Sequence, residues 1–215
     1  MKATNNLHEA LEFYPSSEAG QDLFVYRILN NKKNGTYLDI GCGEATERFN
    51  GCSAGNNTNE LSRHGWTGIG IDINPAFSYT WTVIRQHPFL VTDVTTVDWN
   101  FLIKEHSLLQ NHIDYLSFDV DDATTFAMRN FPFDKIRFSV ITIEHDSYRV
   151  GNEVKKEMRE ILSKAGYQLL CSDVQVIQQG TRFLVYEDWW IDITKIDAEL
   201  ADKYRCHKKA GYIIT

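Results

Sequence analysis

Thr36-Tyr37-Leu38-Asp39-Ile40-Gly41-Cys42-Gly43-Glu44 is the stretch on which the fold turns. A short, mostly apolar run, Thr36–Ile40, breaks into a turn with two glycines one residue apart. A buried strand ending this way is how an open α/β sheet presents its carboxyl edge, where ligands bind. Glycines there let a ligand approach the backbone closely. Position 46 is Thr, so the third glycine of the dinucleotide fingerprint G-x-G-x-x-G is missing. That argues against a cofactor bearing a pyrophosphate.

Outward from this turn, strand-like runs alternate with helical patterns, the signature of a sheet fed by βα units. A helix is expected over residues 18–31, closed by the Asn34-Gly35 turn. After a long polar stretch to residue 56, a short helix stops near Gly65. Further strands are expected at 67–71, 89–92, 113–118 and 137–143. Asn74-Pro75 reads as a cap and first-turn proline opening a helix towards Arg85. Asp98 is a cap for the next helix, and a charged amphipathic helix over 153–165 stops at Gly166. Residues 167–171 and 182–186 close the sheet as an antiparallel pair. Trp66, Trp81 and Trp99 are assigned to the core, and Trp189-Trp190, placed after the last strand, to packing. The expected architecture is one α/β, Rossmann-like domain over residues 1–215. It comprises a helical segment, 1–34, and a core, 35–215, with a mostly parallel seven-stranded sheet and helices on both faces.

The chain's 215 residues suit one such domain. A net charge of -7 disfavours a partner gripped through its phosphate backbone, so nucleic acid is not the expected substrate. No apolar run suggests a secretion signal or a membrane span, which makes the cytoplasm the expected compartment. Cys42, Cys52, Cys171 and Cys206 match neither a zinc ribbon nor a CxxC motif and are expected as free thiols. A homo-oligomer is compatible with all of this.

Acidic residues end four strands at the ligand-binding edge: Asp39, Asp72, Asp93 and Asp119. The two acceptor oxygens of Asp72 suit the two hydroxyls of a ribose. S-adenosylmethionine carries a ribose and no pyrophosphate, so it fits a shortened glycine turn better than a dinucleotide does. The blander account is a tight turn without a ligand. Strand, glycine turn, helix, strand and Asp72 in that order favour binding.

Leu38-Asp39-Ile40-Gly41-Cys42-Gly43 resembles motif I of class I S-adenosylmethionine-dependent methyltransferases. Asn57-Thr58-Asn59-Glu60-Leu61, followed by Gly65-Trp66-Thr67-Gly68-Ile69-Gly70-Ile71-Asp72, is similar to the FkbM-type subgroup. So is Ile113-Asp114-Tyr115-Leu116-Ser117-Phe118-Asp119-Val120-Asp121. The likeness covers about residues 35–146. It implies a cofactor site at Asp39, Gly41, Gly43, Asn57, Thr58, Asp72, Ile73, Asp93 and Asp119. Two departures touch the acceptor end. Asp121-Asp122 stands where the family places an acid and then Gly, and the loop over 44–55 is longer and more polar, a candidate acceptor wall or lid.

Acids also bunch at the reacting end, in Asp119-Val120-Asp121-Asp122 and Glu144-His145-Asp146. Neighbouring strand tips lie side by side, and clustered carboxylates need a shared proton or a cation. One account is a hard divalent ion, Mg²⁺ or Mn²⁺. By resemblance to metal-dependent O-methyltransferases of this fold, Asp119, Glu144 and Asp146 would be its ligands and Asp121 the base. The other account makes His145 the base, oriented by an acid. The blander accounts are helix capping by Asp122 and a backbone-bonded His145. The expected activity is O-methylation of a small-molecule or glycan acceptor, most simply a sugar hydroxyl. Its rivals are methylation of nucleic acid or protein, and a catalytically inactive cofactor-binding partner subunit.

Overall fold

A computed structural model describes residues 13–48, 50, 55–178 and 182–205. In chain order the elements are α1 (Gln21–Ile28), β1 (Thr36–Ile40), α2 (Asn59–Arg63), β2 (Thr67–Asp72), β3 (Phe89–Val91), α3 (Trp99–Glu105) and β4 (Ile113–Phe118). There follow α4 (Thr124–Asn130), β5 (Phe138–Glu144), α5 (Ser147–Val150), α6 (Asn152–Lys164), β6 (Gln168–Gln178), β7 (Arg182–Ile191) and α7 (Ala198–Tyr204). One seven-stranded sheet runs β3-β2-β1-β4-β5-β7-β6. Every neighbouring pair from β3 to β5 is parallel, and β7 is antiparallel to both β5 and β6.

Register decides where the ligand edge lies. Ile40 stands opposite Ile71 on one side and Phe118 on the other. The residues just past these, Gly41, Asp72 and Asp119, therefore share one rim. Backbone bonds tie it together: the Gly41 N–H donates to Ile71 O at 2.8 Å and the Asp119 N–H to Ile40 O at 2.9 Å. Side-chain alternation sends Tyr37, Tyr115 and Trp189 into one core layer, with Phe24 and Ile28 of α1. Leu38, Ile40, Leu116, Phe118 and Trp190 enter the other, with Met158 and Leu162 of α6. Trp66, Trp81 and Trp99 are all buried.

Three expectations are corrected. The helix after Asn74 is instead a 3₁₀ turn, Pro75–Phe77, and a π-helical turn, Thr80–Ile84. Asn74 does cap, accepting from the Ala76 N–H at 3.0 Å. Thr80, Thr82, Val83 and Ile84 are β-branched and resist a regular α-helix, and the Trp81 indole N–H is tethered to Gly43 O at 2.8 Å. The first helix begins only at Gln21, because Gly20 sits at φ 79° and breaks the chain before it. The closing strands are longer than expected: β7 runs through Glu187, Asp188, Trp189 and Trp190, and both tryptophans are buried. Cys42 is a buried free thiol, and Cys171 is buried as well. Residues 1–12 of the expected N-terminal segment, Cys52, Cys206 and part of the polar loop lie outside the described residues. Among those described, no helix is long and apolar enough to cross a membrane.

Candidate active site

A cleft of about 430 Å³ opens at the rim, lined by Gly41, Asp72, Ile73, Asp93, Asp119 and Asp121 among others. Gly41 has φ 72°, and a Cβ built there would lie 1.5 Å from the Asp119 carbonyl oxygen. No other residue fits where β1 leaves the sheet beside β4. Gly43, at φ 57°, differs: a Cβ there would meet nothing within 4 Å, so this glycine faces open space. Asp72 accepts from the Gly43 N–H at 2.9 Å on Oδ2 and from the Asn74 N–H at 2.8 Å on Oδ1. These bonds fix the carboxylate and leave each oxygen a lone pair for a ribose hydroxyl. Ile73 is 68% exposed and offers the cleft an apolar ledge. Asp93 accepts from the Thr95 hydroxyl at 2.7 Å and its N–H at 2.9 Å, and these donors hold its carboxyl below the usual range.

Asp39, Asn57 and Thr58 do not line this cleft; they stand behind it. The Thr58 hydroxyl donates to Asp39 at 2.7 Å, and the Asn57 amide donates to the Ser117 hydroxyl at 3.0 Å. Asp39 and Thr58 are buried, and burial lifts Asp39 to about 6 against the opposing pull of Thr58 and Arg85. Arg85 lies over the Trp81 ring at 4.2 Å and donates to Thr58 and Asn56 at 2.8 and 2.9 Å. Asp39 and Thr58 brace the glycine turn from behind the cleft.

A ledge of carboxyls continues from the cleft. Phe118 opposes Ile143 in the sheet, so Asp119 and Glu144 leave adjacent tips side by side. Burial, then their mutual proximity and Asp146, push Glu144 far above the carboxylate range. Burial likewise raises Asp119, against its hydrogen bond with Glu144. Oxygens of Asp121, Glu144 and Asp146 lie within 4.8 Å of one another. Asp121, not Asp119, thus completes the trio with Glu144 and Asp146. The Arg149 guanidinium reaches Asp121 at 3.3 Å, Asp122 at 3.0 Å and also Asp146.

Two further acids join the ledge without a sequence signal. Glu18, from the segment before α1, is raised by burial and by Asp119. Glu187, paired across the sheet with Glu144, is buried, and burial lifts it to about 8 although the Trp189 indole N–H donates to it at 2.7 Å.

His145 groups with Asp173 and Asp188 rather than with the ledge. Its ring is buried, Nδ1 accepts from the Ser147 N–H at 3.2 Å, and Nε2 lies 3.7 Å from Asp188. Asp188 in turn holds Arg159 of α6 through bonds of 2.7 and 2.8 Å. Glu144 and His145 are consecutive at a strand end, so their side chains leave on opposite faces. Glu144 meets Asp119 and Asp146, and His145 meets Asp188, the partner of Arg159 on α6.

The reversed last strand and the glycine turn define a Rossmann-like α/β fold. The sequence matches the methyltransferase FkbM domain over residues 4–169, and the chain belongs to that family. No curated protein matches it. Among solved structures it is similar to Aeropyrum pernix fibrillarin with natively bound S-adenosyl-L-methionine, at 13% identity and TM-score 0.52, covering 81% of this chain and 74% of that one. It is similar to a putative rRNA methylase from Clostridium thermocellum, at 12% identity and TM-score 0.51, covering 83% and 98%. Spermidine synthase from Thermotoga maritima is also similar, at 12% identity and TM-score 0.50, covering 86% and 64%. Identities this low show the fold, and the family match carries the activity. The cofactor is S-adenosylmethionine, and the open space at Gly43 and the fixed carboxylate of Asp72 suit it.

Proposed function

We propose that this enzyme methylates a hydroxyl of a small polyhydroxylated acceptor, a sugar or a glycan. The observation that carries this reading is the ledge of carboxyls continuous with the cofactor cleft. Carboxylates accept hydrogen bonds from several hydroxyls at once and repel a phosphate backbone. When bound, S-adenosylmethionine supplies an electrophilic methyl group on a sulfonium. Asp72 receives the ribose hydroxyls, and Ile73 and Val94 form apolar walls for the base. Asp119 lines the cleft and meets the ledge, so its carboxylate takes the acceptor's proton as the new C–O bond forms and the C–S bond breaks. Asp39, Thr58 and Arg85 hold the turn rigid, which keeps donor and acceptor aligned.

Methyl transfer from labelled cofactor to a panel of sugars, sugar nucleotides and glycans tests this, with amines, RNA and protein as competing acceptors. Turnover confined to RNA or protein would overturn it. Asp72→Ala should weaken cofactor binding at least tenfold by calorimetry, since each charge-assisted hydrogen bond is worth about 1.5–3 kcal/mol. Unchanged affinity would remove Asp72 from the site. Asp119→Asn should bind cofactor within a few-fold of the parent yet lose roughly 10²–10⁴ in kcat, the usual contribution of a proton acceptor. An unchanged kcat would move that role elsewhere.

A further inference from the structure

The segment before α1 is tied to the glycine turn, and one side chain on it has no partner. The buried carboxylate of Asp22 accepts from the Ser16 N–H at 2.6 Å and from the Ser17 hydroxyl at 2.5 Å. Ser17 makes an antiparallel bridge with Gly55, and the Ser16 hydroxyl donates to Asn56 O at 2.9 Å. The Asn56 amide donates in turn to Cys42 O, within the glycine turn, at 2.7 Å. On the other side, the Gln21 amide donates to the Tyr186 hydroxyl at 2.8 Å. Every residue from Ser16 to Asp22 is buried except Glu18, which is half-buried. Its charge is felt at Asp119 and at Tyr186, so its carboxylate stands at the rim. Among the described residues it has no hydrogen bond and no ion pair.

A carboxylate partly withdrawn from water, beside a second acid and without a cation, costs stability. Here a hydrogen-bonded loop holds it in that position. Such a local conflict is the mark of a group kept for a ligand, and the ligand group it suits is a cation. S-adenosylmethionine carries one at its amino-acid end, the α-ammonium. The cleft from Val94 and Asp72 to Gly41 and Asp119 accounts for the adenosine. The amino-acid end is left to the glycine turn, to which the Glu18 segment is tied. We propose that Glu18 receives the α-ammonium of S-adenosylmethionine, so that the site selects the whole cofactor over its adenosine portion. The inference takes the placement of the ribose at Asp72 from the reading above and is independent of the acceptor.

Calorimetry of the full-length protein with two ligands tests this without turnover. S-adenosylhomocysteine has both the ribose and the α-ammonium; 5′-methylthioadenosine has the ribose and lacks the amino-acid end. Glu18→Gln should bind S-adenosylhomocysteine at least tenfold more weakly and 5′-methylthioadenosine as the parent does. Asp72→Ala should weaken both ligands; parent-like binding there would remove the ribose reading, whereas Glu18 is judged on the ratio between the two ligands. Thermal unfolding of the ligand-free protein gives a second readout. The Tm of Glu18→Gln should match or exceed the parent's, because its repulsion with Asp119 is gone, while loss of a merely structural residue would lower it. Parent-like affinity of Glu18→Gln for S-adenosylhomocysteine would overturn the proposal. So would an equal loss for both ligands, or a Tm several degrees below the parent's.

Discussion

Gly41→Ala should unfold the cofactor edge of the sheet. The new Cβ would fall 1.5 Å from the Asp119 carbonyl oxygen, well inside van der Waals contact and against backbone that cannot rotate away. Relief requires the tips of β1 and β4 to part, which breaks the 2.9 Å bond from the Asp119 N–H to Ile40 O. The left-handed φ of 72° adds about 1–2 kcal/mol for a residue with a side chain. Overpacking a tight site adds about 1–3 kcal/mol. A total near 3 kcal/mol would lower Tm by roughly 6–12 °C in a domain of this size. Cofactor binding should disappear with it, since Gly41 and Asp119 both line the cleft. Gly43→Ala is the matched control: it shares the left-handed backbone but meets nothing, so most of the loss should be in affinity rather than in Tm. A Gly41→Ala protein with the parent's Tm would refute the packing account.

Asp188→Ala should be the most damaging change away from the cleft. Its carboxylate is buried on β7 and takes both bonds from Arg159, the Asp173 N–H at 2.8 Å and the approach of His145. Truncation removes the closer partner of Arg159 and leaves it Asp173 at 3.2 Å, a change that costs roughly 1.5–3 kcal/mol. Denaturant unfolding measures it, and a loss below about 1 kcal/mol would contradict the prediction. Adding Arg159→Leu should cost less than the two single changes summed, because both share this contact. The same group sets an acid limit. Burial raises the Asp188 pKa, but Arg159 and His145 outweigh it and hold the group at about 2. An unfolded aspartate titrates near about 3.9, so the folded form binds its proton less readily. The contact therefore contributes fully above pH ~4, and roughly 2–3 kcal/mol of stability fades as the pH falls through 2.

Much of this was legible in the sequence, and the physical reason differs from element to element. β1, its glycine turn and β2 are short apolar runs bounded by Gly and Asp, so their pattern needs no tertiary partner to be read. β4 is apolar on both faces and has the bounds its sequence implies. The second half of β7 hid because Glu187 and Asp188 interrupt its apolar run, and the partners that satisfy them, Trp189 and Arg159, are set by tertiary structure. At the site, the pattern pointed to a carboxylate rim but could not say which way each side chain leaves. One step along β5 sends Glu144 to the ledge and His145 to α6. Asp121, rather than Asp119, groups with Glu144 and Asp146 for a similar reason: Val120 breaks from the strand and Asp121 adopts φ 50°, a backbone choice no spacing rule foresees. Glu18 carries no motif, and only the path of the chain from Ser16 to Gly20 brings it near Asp119.

The place of β7 has a consequence for the order in which the molecule comes together. It lies between β5 and β6, so β6 has no neighbour in the sheet until the last strand has been made. On the ribosome the first five strands can zip up as they emerge, while the edge of β5 stays open and sticky. The family match ends at residue 169, before β7 begins. Yet β7 delivers Glu187 to the ledge and Asp188 to Arg159. Nascent chains stalled short of residue 182 would hold the donor end of the enzyme with an unfinished acceptor end, and would be the form most exposed to aggregation.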